Sequence, residues 1–261
     1  MEEKQGIRLN KYLSEAGVCS RREADRLTEE GRVTVDGTLP SMGQRILPGQ
    51  VVCVDGTPVG EKQKPVLLLV NKPAGIVCTT AHFKGEKNIV DMVDYPVRVY
   101  PVGRLDKDSE GLILMTNQGE LVNKILRRGN AHSKEYLVRV SRPVTSEFLE
   151  AMEKGVPILG TVTAPCRTEQ TGPYSFRIVL VQGLNRQIRR MCEYFGYRVT
   201  ALKRVRIMEF TLDGIPSGGY REATDREMAG LRKLLADSDD RPWREHRDAL
   251  CARQQRDSIK K

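Results

Sequence analysis

The stretch PVGRLDKDSEGLILMTNQGEL (residues 101–121) carries a knot of charge into what reads as a core strand. Leu112 to Met115 is an unbroken apolar run bounded by glycine and polar residues, the pattern of a strand buried on both faces of a sheet. Directly before it stand Arg104, Asp106, Lys107, Asp108 and Glu110, between Gly103 and Gly111. By position alone the knot is a solvated turn feeding the strand. The other reading is that one carboxylate is held at the rim of the sheet for chemistry. The remainder of the chain weighs these against each other.

The 261 residues suffice for one medium domain with a small companion. No apolar run approaches the ~18 residues of a membrane helix, and MEEKQGIRLNKYL lacks the apolar core of a signal peptide. Six cysteines are scattered without a C-x-x-C pair and there are only three histidines, so neither a zinc site nor a disulfide framework is expected. Reduced thiols suit a cytoplasmic protein. A net charge of +9 points to a polyanionic partner. The charge is uneven: residues 1–62 carry 9 Lys/Arg against 10 Asp/Glu, whereas residues 181–206 carry 7 basic residues against Glu193 alone. The last 21 residues are basic and without periodicity, and the tail 239–261 is expected to be disordered.

Residues 8–16 place Leu9, Tyr12, Leu13 and Ala16 on one helical face, with Gly17 to end the helix. Ser20 and Glu23 have capping-box spacing for a second helix that buries Ala24 and Leu27 and stops near Gly31. Short strands around Val33–Val35 and Val52–Val54 follow, each leading into an Asp-Gly turn. TPVGEKQKP (57–65) reads as a linker. From Val66 to about Ala236 helical and strand patterns mix, and no internal repeat is visible.

The segment RLNKYLSEAGVCSRREADRLTEEGRVTVDG (8–37) resembles the S4 RNA-binding domain. Basic residues interleave along it: Arg8, Lys11, Arg21, Arg22 and Arg26 on the helices, and Arg32 entering the strand. Such a face contacts phosphates without reading sequence, and Glu15, Glu29 and Glu30 are expected to lie away from it. Further on, VNKPAGIVCTT (70–80), the opening stretch, HSKEYLVRV (132–140) and LVQGLNRQIRRM (180–191) occur in that order. Together they resemble the pseudouridine synthases of ribosomal RNA, in the S4-bearing branch that includes large-subunit synthase F. Arg186 stands before the Gln-Ile-Arg triplet where many relatives have His.

This resemblance implies an α+β fold: an S4 domain (1–62), then a catalytic domain (63–238) around a large mixed, mainly antiparallel sheet. The implied reaction converts uridine to pseudouridine in 23S ribosomal RNA, with tyrosine transfer RNA as a second substrate. It requires no cofactor and no metal, and a monomer is expected. Asp106 matches the family's catalytic aspartate, acting either as nucleophile or as base. Arg189 matches the arginine expected to keep it ionised, and Tyr136 the tyrosine that packs on the flipped uracil. Ile188 is assigned to the apolar wall, and Arg104, Asn185, Arg186, Gln187 and Arg190 to substrate binding. Lys107, Asp108 and Glu110 are read as solvated or RNA-facing, and Asn71, Lys72 and Pro73 as a loop beside the site. The rival function is a non-catalytic S4-domain RNA-binding factor in ribosome assembly.

Overall fold

The structure is a computed structural model that describes residues 6–60, 63–126 and 132–236; the tail 239–261 lies outside the described residues. The chain divides into two compact units. One runs up to Pro65 and takes in Pro96–Arg98 and Asn117–Gly119; the other holds Val66–Tyr95, Val99–Thr116 and the chain from Glu120 on.

In the first unit, strand β1 (Ile7–Arg8) leads into helix α1 (Leu9–Glu15), followed by α2 (Arg21–Glu29), β2 (Val33–Val35), β3 (Arg45–Ile46), β4 (Val52–Val54) and β5 (Thr57–Pro58). The local signals act as expected. Ser20 Oγ accepts from Glu23 N at 3.1 Å to cap α2. Asp36-Gly37 adopts positive φ at both residues, the mirror-image turn that suits tight β connections. Leu9, Leu13, Ala24, Leu27, Val33, Val35, Ile46 and Val52 form one small core. Two expectations change. Thr57–Pro58 pairs with Cys53–Val54, so the stretch read as a linker begins inside a sheet. Glu15 pairs with Lys11, and Glu30 with both Arg26 and Arg32, so two of the acids thought to lie apart sit among the bases. Arg8, Arg21 and Arg22 are exposed and pair with no carboxylate among the described residues.

The second unit contains β6 (Leu67–Lys72), α3 (Ile89–Val93), β7 (Tyr100–Pro101), β8 (Glu110–Thr116), α4 (Gly119–Leu126) and β9 (Lys134–Val140). After these come α5 (Ser146–Glu153), β10 (Pro157–Ile158), β11 (Thr161–Val162), β12 (Arg167–Gly172) and β13 (Ser175–Leu180). The chain continues through α6 (Gln187–Tyr194), β14 (Val199–Ile207), β15 (Phe210–Thr211), β16 (Tyr220–Glu222) and α7 (Asp225–Ala236). Among the described residues, nine strands form one mixed sheet in the order β12-β13-β9-β14-β8-β6-β16, with β15 on β14 and β7 on β8. Only the β14–β8 pairing is parallel.

The central strands are covered on both faces, as their apolar runs require. Leu67, Leu69, Leu112 and Leu114 pack with Ile125 of α4 and Leu231 and Leu235 of α7. Leu68, Val70, Ile113 and Met115 pack with Ile89 and Val93 of α3. A third cluster joins Val138, Ile178 and Leu202 to Phe148 of α5 and to Ile188 and Met191 of α6. Where β8 meets β14, Gly111 has φ +105°, and a Cβ there would stand 2.2 Å from Arg204 O. Glycine at this position lets the two backbones touch just beyond the charged loop.

Candidate active site

The charged knot is the loop between β7 and β8, and buried groups hold it in place. Lys72, the last residue of β6, is wholly buried and donates from Nζ to Ser109 O at 2.7 Å, Pro73 O at 2.8 Å and Lys107 O at 3.4 Å. Gly75 N donates to the same Lys107 carbonyl at 2.7 Å. Burial lowers the Lys72 pKa, while the charges of Asp108, Asp106 and Glu110 oppose the loss of its proton. Lys72 is thus a strand residue that pins the loop rather than a loop residue itself. Asn71 is likewise a strand residue, and its Nδ2 donates to Ile215 O at 2.8 Å.

Helix α6 closes on this loop. Arg189, buried on the helix's inner face, donates from Nη2 to Ser109 Oγ at 3.1 Å and to Asp108 O at 3.3 Å, and from Nη1 to Val199 O at 3.4 Å. Its Nη2 is also 3.1 Å from Asp108 Oδ2. Its Nε, however, has no hydrogen-bond partner among the described residues and stands 3.7 Å from Asp106 Oδ2. The nearer cation to Asp106 is Arg186, whose Nη1 is 3.2 Å from the same oxygen and 3.5 Å from Asp108 Oδ1. Two arginines therefore face two carboxylates. Asp108, read from sequence as solvated or RNA-facing, is indeed half exposed, and it also lies within reach of both of them.

Arg186 reaches this position at a cost, because it precedes α6 with φ 49° and ψ 35°, a left-handed conformation that crowds the Cβ of an L-residue and is unfavourable by about 1–2 kcal/mol. Gln187 lines the cleft, yet its amide is already engaged: Oε1 accepts from Leu184 N at 2.9 Å and Nε2 contacts Met191 Sδ at 3.7 Å. Its amide thus shapes the helix start while the residue lines the cleft.

Around the Asp106 carboxylate, whose side chain is 31% exposed, lies a cleft of about 90 Å³ lined by Arg104, Tyr136, Arg186, Ile188 and Leu202 among others. Tyr136 sits on β9 between Ile178 of β13 and Arg204 of β14. The Arg204 guanidinium lies 6.0 Å from the Tyr136 ring centre. Arg104 is exposed and in no ion pair among the described residues. Asn185 and Arg190 do not line the cleft. They bond each other instead, from Arg190 Nε to Asn185 O at 3.2 Å and from Nη2 to Oδ1 at 3.4 Å. Lys107 turns away to Glu86. Ser109, Gln182 and Arg204 were not assigned to the site from sequence, and Lys72 was placed there only as part of a neighbouring loop.

An S4-like unit followed by a sheet domain with an aspartate loop clasped by arginines defines an RNA-modifying enzyme. The chain belongs to the RNA pseudouridine synthases. Residues 66–194 match the RNA pseudouridylate synthase family and residues 7–52 the S4 domain. The chain is 56% identical over 235 residues to the dual-specificity RNA pseudouridine synthase RluF of Escherichia coli (strain K12), covering 89% of this chain and 80% of that protein. It is 35% identical over 237 residues to the ribosomal large subunit pseudouridine synthase B of Bacillus subtilis (strain 168), covering 87% and 96%. A crystal structure of a pseudouridylate synthase superposes with a TM-score of 0.64 at 26% identity, covering 88% of this chain and all of that one. The protein is an isomerase acting on RNA, with the fold expected from its motifs. No helix among the described residues is long and apolar enough to cross a membrane.

Proposed function

We propose that this enzyme converts one uridine of 23S ribosomal RNA to pseudouridine, with tyrosine transfer RNA as a second substrate, and that Asp106 carries the reaction. The observation that supports this most is the carboxylate itself. It is partly exposed in a cleft walled by Tyr136, Ile188 and Leu202, with guanidinium groups 3.2 Å and 3.7 Å from one oxygen. In the isomerisation the bond from uracil N1 to ribose C1′ breaks, a bond from C5 to C1′ forms, and the C5 proton is exchanged for one on N1. Electrons balance without a redox partner. Asp106 acts either by attacking C1′ or by taking the proton from C2′. Tyr136 offers its ring to the extruded base and Ile188 the apolar wall.

The names of the relatives from E. coli and B. subtilis, dual-specificity and ribosomal large-subunit, support the choice of RNA. We place the RNA-binding domain at 1–62 and the catalytic domain at 63–238, and take the protein to work as a cytoplasmic monomer. Arg8, Lys11, Arg21, Arg22, Arg26 and Arg32 form the proposed S4 contact with phosphates. The test is conversion of transcribed 23S and transfer RNA by purified protein, read by chemical mapping of pseudouridine. Binding without conversion would return the chain to the assembly-factor reading.

A further inference from the structure

A second cavity, about 360 Å³, adjoins the Asp106 cleft and shares Arg104, Tyr136 and Gln182 with it, but Asp106 does not line it. Its volume falls within the roughly 300–1,000 Å³ of small-ligand pockets. The polar side chains along it are almost all donors: Arg104, Lys134, Gln182 and Arg204, with the Tyr136 hydroxyl beside them and no carboxylate. Two of these donors are stranded. Gln182 is 3% exposed; its Oε1 accepts from Ala164 N at 2.8 Å, while its Nε2 is buried without an acceptor among the described residues. Arg204 is 4% exposed; its Nε donates to Leu112 O at 2.6 Å, while one Nη is likewise buried and unmatched. Lys134 Nζ has the long bond to His132 O, 3.3 Å, as its partner among the described residues. Burial and the neighbouring Arg204 charge push its pKa down to about 8.

Buried donors without acceptors are costly, by about 1–3 kcal/mol each, unless something fills the need. The required ligand bears acceptors and also an apolar surface, because Val102, Leu114, Ile125 and Ile207 form the rest of the wall. A bare phosphate meets the first condition only. A nucleobase with ring carbonyls meets both.

We propose that this cavity seats a second base of the same RNA, an oxo-bearing base extruded next to the target uridine, with Lys134, Gln182 and Arg204 donating to its carbonyl oxygens. The two cavities share the Tyr136 and Arg104 wall, as adjacent nucleotides of one strand would need. This rests on the RNA-isomerase reading above and adds a specificity site to it.

The test uses the full-length protein and the stem-loop fragment of 23S ribosomal RNA that it binds most tightly. Each nucleotide flanking the target is replaced in turn by an abasic residue, and separately its phosphate by a methylphosphonate; binding is read by fluorescence anisotropy. One abasic replacement should weaken binding about tenfold. Lys134→Met and Gln182→Met should weaken the intact RNA by a similar factor and leave the affinity for that abasic RNA unchanged. The proposal fails if no abasic replacement weakens the wild-type protein, if protein and RNA changes add independently, or if only a methylphosphonate matters. The abasic arm needs no variant and therefore does not depend on whether one folds. Loss of conversion with the coupling intact would overturn the catalytic reading and leave the second site standing.

Discussion

Arg186 Nη1 lies 3.2 Å from Asp106 Oδ2, closer than Arg189 Nε at 3.7 Å, and it does so from a residue held in a left-handed backbone conformation. The two cations therefore differ in kind. Arg186 is about two-fifths exposed, so its ion pairs contribute little to stability. Arg189 is buried and ties the aspartate loop to α6 and to the start of β14.

The two arginines should accordingly separate under mutation. Arg186→Gly relieves the backbone strain by about 1 kcal/mol while removing the nearest cation, so stability should hold or rise. The single-turnover rate at saturating RNA should nevertheless fall about 10- to 100-fold. Arg189→Lys keeps the charge but loses the planar fork, and should cost about 1–3 kcal/mol of stability together with activity. Urea denaturation alongside single-turnover kinetics measures both. If Arg186→Gly retains the full rate, the nearer guanidinium has no part in the reaction.

The two aspartates of the loop should also differ. Asp106→Asn keeps size and removes the anion, and the rate should drop by at least about 10⁴-fold with RNA affinity retained. Asp108 is not itself in the cleft lining, but both arginines lean on it. Asp108→Asn should therefore lower the rate about tenfold through the arginines it releases. Measurable turnover by pure Asp106→Asn would remove that carboxylate from the chemistry; an unaffected Asp108→Asn would show the arginines need no second anchor.

The pH dependence of stability should carry the signature of Lys134. Its folded pKa, about 8, is below the ordinary lysine value of 10.5, so the unfolded chain binds its proton more tightly. Stability therefore rises with pH between about 8 and 10.5, and the contribution is lost as pH falls through 8. The charged group that acts on it is Arg204 on β14, while burial and the Lys134 charge hold the His132 pKa below its ordinary value, so that ring is neutral in this window. Cys166 and Cys192 are silent in this window, since burial pushes both thiols up to about 12. Comparison with Lys134→Met cancels the remaining groups. The wild-type protein should gain stability relative to the variant as pH climbs from 7.5 to 10; parallel curves would mean that Lys134 is not strained by its cavity.

What the sequence made legible follows the range of each interaction. The S4-like helices are set by neighbours within a turn, so Ser20, Gly17 and the apolar spacing sufficed. The buried strand at Leu112–Met115 was plain for the same reason, since its neighbours in the chain define the run. The parallel contact of Gly111 with Arg204, and the bonds of Arg189 to Ser109, join residues roughly eighty or more positions apart, and no local pattern encodes them. Asp108 is exposed as charge in a glycine-framed turn usually is, but only the approach of α6 gives it arginine partners. Nor does any local pattern show that the Gln187 amide closes the helix start.

The last prediction concerns the first unit. Arg21 and Arg22 begin α2, exposed and with no carboxylate partner among the described residues, whereas Arg26 and Arg32 are engaged by Glu23, Glu30 and Asp55. Free cations release counterions when they meet phosphate; cations already neutralised by a carboxylate give less. The double change Arg21→Ala/Arg22→Ala should therefore reduce the slope of log affinity against log salt by roughly 1–2 and weaken RNA binding at low salt. Arg26→Ala/Arg32→Ala should change the slope less, although the same number of charges is removed. Once RNA is saturating, neither pair should alter the single-turnover rate by more than about twofold, since the phosphate contact positions the RNA and leaves the reacting atoms alone. Equilibrium titrations across a salt series give the slopes, and equal slopes for the two pairs would mean that the ion pairs within the unit open freely when RNA binds.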